Sequence, residues 1–188
     1  FSEPNAGSDL ASLQTRALLD GDHFVVNGQK VWTSLAHVAD YCFLLVRTDP
    51  RAPKHKGISF LLVDMKSPGI TVKPLRQMTG EAEFNEVFFD GVRVPAENLV
   101  GKINEGWGVA ITTLAYERDL LTAIRHISLR AALDRLIELT KKTPRDGGTA
   151  SRDPIVRQKV AQLVIAEACL RLNGYRSLTN IIRGGQPG

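Results

Sequence analysis

The hydrophobic pattern changes its period once along the chain, near residues 101–106, and this switch constrains the fold more than any other feature. Before it, short apolar runs are cut at close intervals by Gly and Pro. Tyr41-Cys42-Phe43-Leu44-Leu45-Val46 and Ile58-Ser59-Phe60-Leu61-Leu62-Val63 read as buried strands. Asp20-Gly21 predicts a hairpin turn between strands at 15–20 and 23–26, and Asn27-Gly28 predicts a second turn before a strand at 29–33. Shorter strands are expected at 70–75, 86–89 and 92–94. After the switch, Leu114, Leu121 and Ile124 recur on one helical face, which Leu120, Ile127, Leu136 and Leu139 widen. A polar, Gly-rich break at 143–152 ends that helix. Asp153-Pro154 then supplies an N-cap and a first-turn proline for a second helix, reaching about residue 182. The fold class is therefore α+β, an antiparallel β-barrel or sandwich followed by helices. The boundary divides the chain into residues 1–102 and 103–188.

Charge and composition exclude some functions. The net charge is +4, but Lys and Arg are scattered, which argues against a nucleic-acid groove and leaves room for an anionic small ligand. No apolar run approaches the roughly 18 residues of a membrane span. Cys42 and Cys169 lie far apart inside apolar stretches and read as buried free thiols. The chain opens on Phe1 with a motif at once and closes in a loop-like stretch, so it reads as a fragment.

Three constellations could carry chemistry. Ser2-Glu3-Pro4-Asn5-Ala6-Gly7-Ser8-Asp9 offers hydroxyls and backbone N–H groups in a tight loop, suited to a pyrophosphate or a ring edge and equally to an ordinary polar loop. Trp32-Thr33-Ser34 sets an indole beside two hydroxyls, suited to a flat redox ring or to a core strand. Glu117 falls on the apolar stripe with Leu114, Leu121 and Ile124. There it would be partly desolvated, as a general base requires, or would lie at the edge of the core.

Taken together in order, these motifs resemble the acyl-CoA dehydrogenase family. Ser2-Glu3-Pro4-x-Ala6-Gly7-Ser8-Asp9 is similar to its first signature, and Asn27-Gly28-x-Lys30-x-Trp32 with Thr33-Ser34 to its second. Lys73-Pro74-Leu75 and Phe88-Phe89-Asp90-x-Val92-x-Val94-Pro95 resemble the close of its β domain. Gly106 and Glu117-Arg118 resemble the helix that opens its C-terminal domain. The resemblance implies a middle β domain followed by the start of an up-and-down four-helix bundle. It implies FAD as cofactor, lined by Phe1, Ser2, Gly7 and Ser8 and bordered by Trp32, Thr33 and Ser34, with the Ser34 hydroxyl beside flavin N5. It places Ser8, Thr48 and Arg118 near acyl-CoA and makes Glu117 the catalytic base, although some members carry that base in a later loop.

The implied reaction is α,β-dehydrogenation of an acyl-CoA thioester to the trans-2-enoyl-CoA, as in fatty acid β-oxidation, with electrons passed to an electron-transfer flavoprotein. Alternatives are an acyl-CoA oxidase using O2 and a non-catalytic subunit of a hetero-oligomer. The family implies a tetramer, homo- or hetero-oligomeric, cytoplasmic in a bacterium and in the mitochondrial matrix in a eukaryote. One departure stands out. Many members carry Arg-x-x-Phe-Gly before the second C-terminal helix, reaching a neighbour's FAD, whereas 143–152 contains no Phe. The chain by itself is expected to be inactive.

Overall fold

A computed structural model describes residues 1–185, and the side chains of all of these except residues 118–124. The chain forms two compact units, Phe1–Thr112 and Thr113–Gly188. The first holds six strands: β1 (Arg16–Asp20), β2 (His23–Ser34), β3 (Tyr41–Arg47), β4 (Ile58–Asp64), β5 (Ile70–Leu75) and β6 (Phe84–Pro95). They make one sheet in the order β4-β3-β1-β2-β6-β5. Every neighbouring pair is antiparallel except β1 and β3, which run parallel and meet at Arg16 and Arg47. β4 and β5 are the two edges, so the ladder stays an open sheet and does not close into a barrel. The β4 edge is covered by later chain: Leu61 bridges Leu99, Ile58 bridges Glu105, and the Val100 N–H donates to Phe60 O. Covering an edge in this way removes a template for aggregation.

The Asp20-Gly21 hairpin turn forms, but the turn predicted at Asn27-Gly28 and the gap between the strands expected at 86–89 and 92–94 are a bulge instead. β2 runs unbroken through Asn27-Gly28, and β6 runs unbroken from Phe84 to Pro95. Between the pairs Val26↔Val92 and Gly28↔Phe89, β6 carries one residue more than β2. Gly91, at φ 60°, takes up the extra residue, and Asn27 Oδ1 accepts from its N–H at 2.8 Å. Asn-Gly and Asp-Gly signal positive φ, and a bulge uses positive φ as readily as a hairpin turn does. The sequence pattern alone does not separate the two.

The continuous apolar runs of β3 and β4 follow from burial on both faces. Leu44 and Val46 of β3 join Leu61 and Val63 of β4 in one cluster with Phe24, Val26, Val87 and Phe89. The alternate residues, Leu45, Ile58 and Phe60, join Ala6, Leu13 and Ala110 in a second. Each fully buried Leu, Ile or Phe contributes about 1.5–3 kcal/mol of transfer free energy. The second cluster takes in the start of helix α1 (Gly106–Lys142). Gly106 lies directly on the β4 backbone, where a Cβ would overlap Ser59 and Phe60 main-chain atoms. The first unit therefore extends past residue 102 into the opening of the helix.

In the second unit α1 is followed by a small hairpin, β7 (Pro144–Arg145) and β8 (Gly148–Thr149), and by α2 (Pro154–Ile182). Asp146 and Gly147 both take positive φ, as a two-residue hairpin loop requires. Asp153 caps α2: its Oδ1 accepts from Ile155 N at 2.7 Å and Val156 N at 3.1 Å. Leu133 of α1 and Glu167 and Gly174 of α2 are buried. The expected stripe differs from this. Ile127, Leu136 and Leu139 are exposed, and Leu120, Leu121 and Ile124 lie outside the described side chains. Two helices bury only the strip along which they meet. Cys169 is exposed rather than buried, because it projects about 200° around α2 from Glu167. Cys42 is half-buried, and burial raises its thiol pKa.

Candidate functional site

The first motif is held by a buried charge pair. Glu3 and Lys30 are 8 % and 2 % exposed, and the Lys30 ammonium donates to Glu3 Oε1 at 2.8 Å and to Phe1 O at 3.1 Å. The same Oε1 accepts from Thr15 N at 3.0 Å, and Oε2 accepts from Gln14 N at 2.7 Å. Burial alone would raise the Glu3 pKa, but the Lys30 charge and these hydrogen bonds outweigh it and hold the carboxyl below its usual range. Burial lowers the Lys30 pKa, and the Glu3 charge opposes that shift. Glu3 and Ala6 exchange backbone hydrogen bonds at 3.0 Å, which curls 3–6 into a turn and presents Gly7 and Ser8 to solvent.

The second motif is shaped by another bulge. Between Lys30↔Val87 and Thr33↔Asn85, β2 carries one residue more than β6. Val31 has no ladder partner there, and its N–H donates instead to Ser2 O at 2.9 Å, which ties the two motifs together. Trp32 takes the extra turn at φ 60°, a conformation costly for a non-glycine residue. Its indole is 61 % exposed and meets Phe84 edge-to-face at 6.2 Å between centroids. Ser34 is exposed, while Thr33 pairs with fully buried Asn85 and so faces the core side of the sheet. The Thr33 Oγ1 is buried without a hydrogen-bond partner. Leu35, at φ 55°, and Phe43 are large exposed apolar residues of the same unit.

The remaining predicted residues are less concentrated. Ser2 and Phe1 are half-buried beside the charge pair, and the Phe1 ring meets Phe60 at 5.8 Å. The Thr48 hydroxyl is committed within the fold, 2.7 Å from Ser59 Oγ and 2.6 Å from Asn104 Oδ1. Glu117 belongs to the second unit and is exposed, so the partial desolvation expected from its spacing is not found. The Arg118 side chain lies outside the described residues. Sequence reasoning missed the Glu3–Lys30 pair and Asn85 as organisers of the site. Their signal was faint: Lys30 and Asn85 are polar residues at inward positions of strands and Glu3 lies in the loop before them, so only the tertiary contacts reveal their roles.

The residues present fit a flavin. An indole held out of the sheet by a bulge supplies a flat apolar wall, an adjacent serine supplies a hydroxyl at its edge, and the 6–9 loop supplies exposed polar groups. Among the described residues no group of three or more His, Cys, Asp or Glu side chains could hold a metal ion. No helix among them is long and apolar enough to cross a membrane.

The family model for the acyl-CoA dehydrogenase middle domain matches residues 1–92, and that for the acyl-CoA dehydrogenase C-terminal domain matches 104–188. The acyl-CoA dehydrogenase IpdE1 of Mycobacterium tuberculosis is 48 % identical over 162 residues, covering 86 % of this chain and 41 % of IpdE1. The chain thus spans less than half the length of that relative. Among solved structures, the Tcur3481-Tcur3483 steroid ACAD matches with a TM-score of 0.86 at 34 % identity, covering 98 % of this chain and 46 % of that one. The ChsE4-ChsE5 complex of Mycobacterium tuberculosis matches with a TM-score of 0.81 at 37 % identity, covering 94 % and 45 %.

Proposed function

Because the chain belongs to the acyl-CoA dehydrogenase family, we propose that the protein catalyses FAD-dependent α,β-dehydrogenation of an acyl-CoA thioester, with this chain supplying the flavin wall. The observation that carries the reading is the preformed wall itself: Trp32 and Ser34 exposed beside a loop clamped by the buried Glu3–Lys30 pair. Phe1, Ser2, Gly7, Ser8, Trp32, Thr33 and Ser34 would hold FAD, Thr33 through its main chain. Bound FAD supplies the acceptor for a hydride from the substrate β carbon. Ser8, Thr48 and Arg118 orient the CoA thioester, and Glu117 takes the α proton. A carboxylate on a helix can act as that base only once neighbouring chain removes it from water, because desolvation raises its proton affinity.

Electrons pass to an electron-transfer flavoprotein, and the oligomer is a tetramer in the bacterial cytoplasm. Likeness to a structure named as a steroid ACAD supports a bulky, ring-derived acyl group over a straight fatty chain. A hetero-oligomer is favoured over a homotetramer by one observation. The 143–152 segment has no Phe, and Arg145 is engaged by Asp153 at 2.5 Å rather than free to reach a neighbouring cofactor.

The test uses the full-length protein. Purified with FAD, it should be yellow and bleach when an acyl-CoA is added anaerobically. Glu117→Gln should keep the colour and lose the bleaching. A protein that stays colourless with added FAD would indicate a non-catalytic subunit, and fast reoxidation by air would indicate an oxidase. Normal bleaching by the Gln variant would move the base elsewhere.

A further inference from the structure

The residue that sets the flavin wall lies behind it, on the other face of the sheet. Asn85 is fully buried on β6, opposite Thr33. Its amide nitrogen donates to Thr33 O at 3.0 Å and to Glu83 O at 3.1 Å. Both partners are carbonyls, which only accept, so the orientation of the amide is fixed and cannot be flipped. Thr33 O belongs to the peptide joining Thr33 to Ser34, and it follows directly on Trp32, the residue in strained left-handed backbone. The extra residue of β2 lies at Val31-Trp32, and the ladder resumes only at Thr33↔Asn85 and Ser34↔Phe84. One side-chain amide therefore adds a tie to the Thr33 carbonyl at the first pair after the bulge, where the wall is made.

The cost of this arrangement is visible. Asn85 Oδ1 and Thr33 Oγ1 are both buried without a partner. An apolar residue at 85 would remove one of those orphans, so packing alone does not favour an asparagine. From this geometry we infer that Asn85 is a positioning residue for the flavin. By holding the Thr33 carbonyl it fixes the Thr33–Ser34 peptide and keeps the Trp32 ring and the Ser34 hydroxyl in the register that receives the isoalloxazine. The inference rests on the proposed flavoprotein function. It adds that the wall's shape is set from the core side, by a residue that never touches the cofactor.

The test uses three variants of the full-length holoenzyme. Asn85→Leu keeps the branched skeleton of asparagine, with two bulkier methyl groups in place of the amide O and NH2, and has neither donor. It should leave the oligomer intact and weaken FAD binding about tenfold or more, with an altered visible flavin spectrum. Asn85→Asp supplies a second arm should the leucine variant fail to fold. Its carboxylate repels both carbonyls when ionised, but the protonated acid can donate to one of them. FAD affinity of this variant should therefore recover as pH is lowered, against the trend of the wild type. Val87→Ala, two residues along the same strand, removes buried volume without touching Thr33 and serves as the control. It should lower the thermal midpoint with no change in flavin spectrum. The inference is overturned if Asn85→Leu binds FAD with wild-type affinity and spectrum. It is also overturned if Val87→Ala produces the same FAD loss and spectral change, or if Asn85→Asp shows no recovery at low pH. A wild-type protein that takes up no FAD would instead overturn the proposed function, which separates the two failures.

Discussion

Removing the Lys30 ammonium while keeping its aliphatic stem isolates what the buried charge pair contributes. Lys30→Met leaves the Glu3 carboxylate with its two backbone donors, Gln14 N and Thr15 N, but without a countercharge. The side chains of Lys30 and Glu3 are 3 % and 8 % exposed, so water screens the remaining charge poorly. At 2.8 Å and an effective dielectric constant of about 20, the lost Coulomb attraction is about 6 kcal/mol. Relief of the Lys30 desolvation offsets part of this, and breaking one side of a buried pair typically costs about 3–5 kcal/mol. Glu3→Gln alone leaves a buried ammonium and should cost a similar amount. The double variant has no buried charge and retains a residual cost of about 1–3 kcal/mol from one backbone N–H left without an acceptor. It should therefore be more stable than either single variant. The assay is denaturant unfolding of the full-length apoprotein through the complete double-mutant cycle, with FAD affinity measured in parallel. Losing the bond to Phe1 O should also loosen the 1–9 loop and weaken FAD binding. Additive costs in the double variant, or a Lys30→Met variant within about 0.5 kcal/mol of wild type, would refute the account, since that is the size of ordinary additivity error.

Gly106→Ala should lower stability by about 1–3 kcal/mol or more, read as a fall in the thermal midpoint, because the added Cβ meets the rigid β4 backbone at Ser59 and Phe60. Asp153→Ala should lower the thermal midpoint at neutral pH through loss of the α2 cap. The Asp153 pKa is held down first by its hydrogen bond from Val156 N, so the benefit is present above the usual carboxylate pKa of about 3.9. It is lost as pH falls through the depressed value. The gap between wild type and Asp153→Ala should accordingly close on acidification toward about pH 2, and a gap that widened would contradict the sign. The 188-residue chain expressed alone should give no turnover with acyl-CoA, and measurable electron transfer to a dye would prove otherwise.

The sequence by itself determined the order of elements, because periodicity is a local property. The change from strand to helix near Gly106, the apolar runs of β3 and β4, and the Asp153-Pro154 start of α2 are each set by residues adjacent in the chain. The ordered signatures at 2–9 and 27–34 likewise marked the candidate site before any coordinates. What the tertiary structure decided was how that site is held. Asn27-Gly28 and Val31-Trp32 lie at bulges because β6 pairs across them with a different count of residues, and pairing register between strands some 60 positions apart is not a local quantity. The Glu3–Lys30 pair and the Asn85 bond to Thr33 join residues 27 and 52 positions apart, and burial makes them strong, which composition does not encode. Glu117 marks the opposite limit. Its helical spacing put it on an apolar stripe, yet it is exposed, because desolvation depends on what packs over a helix and not on the helix's own sequence.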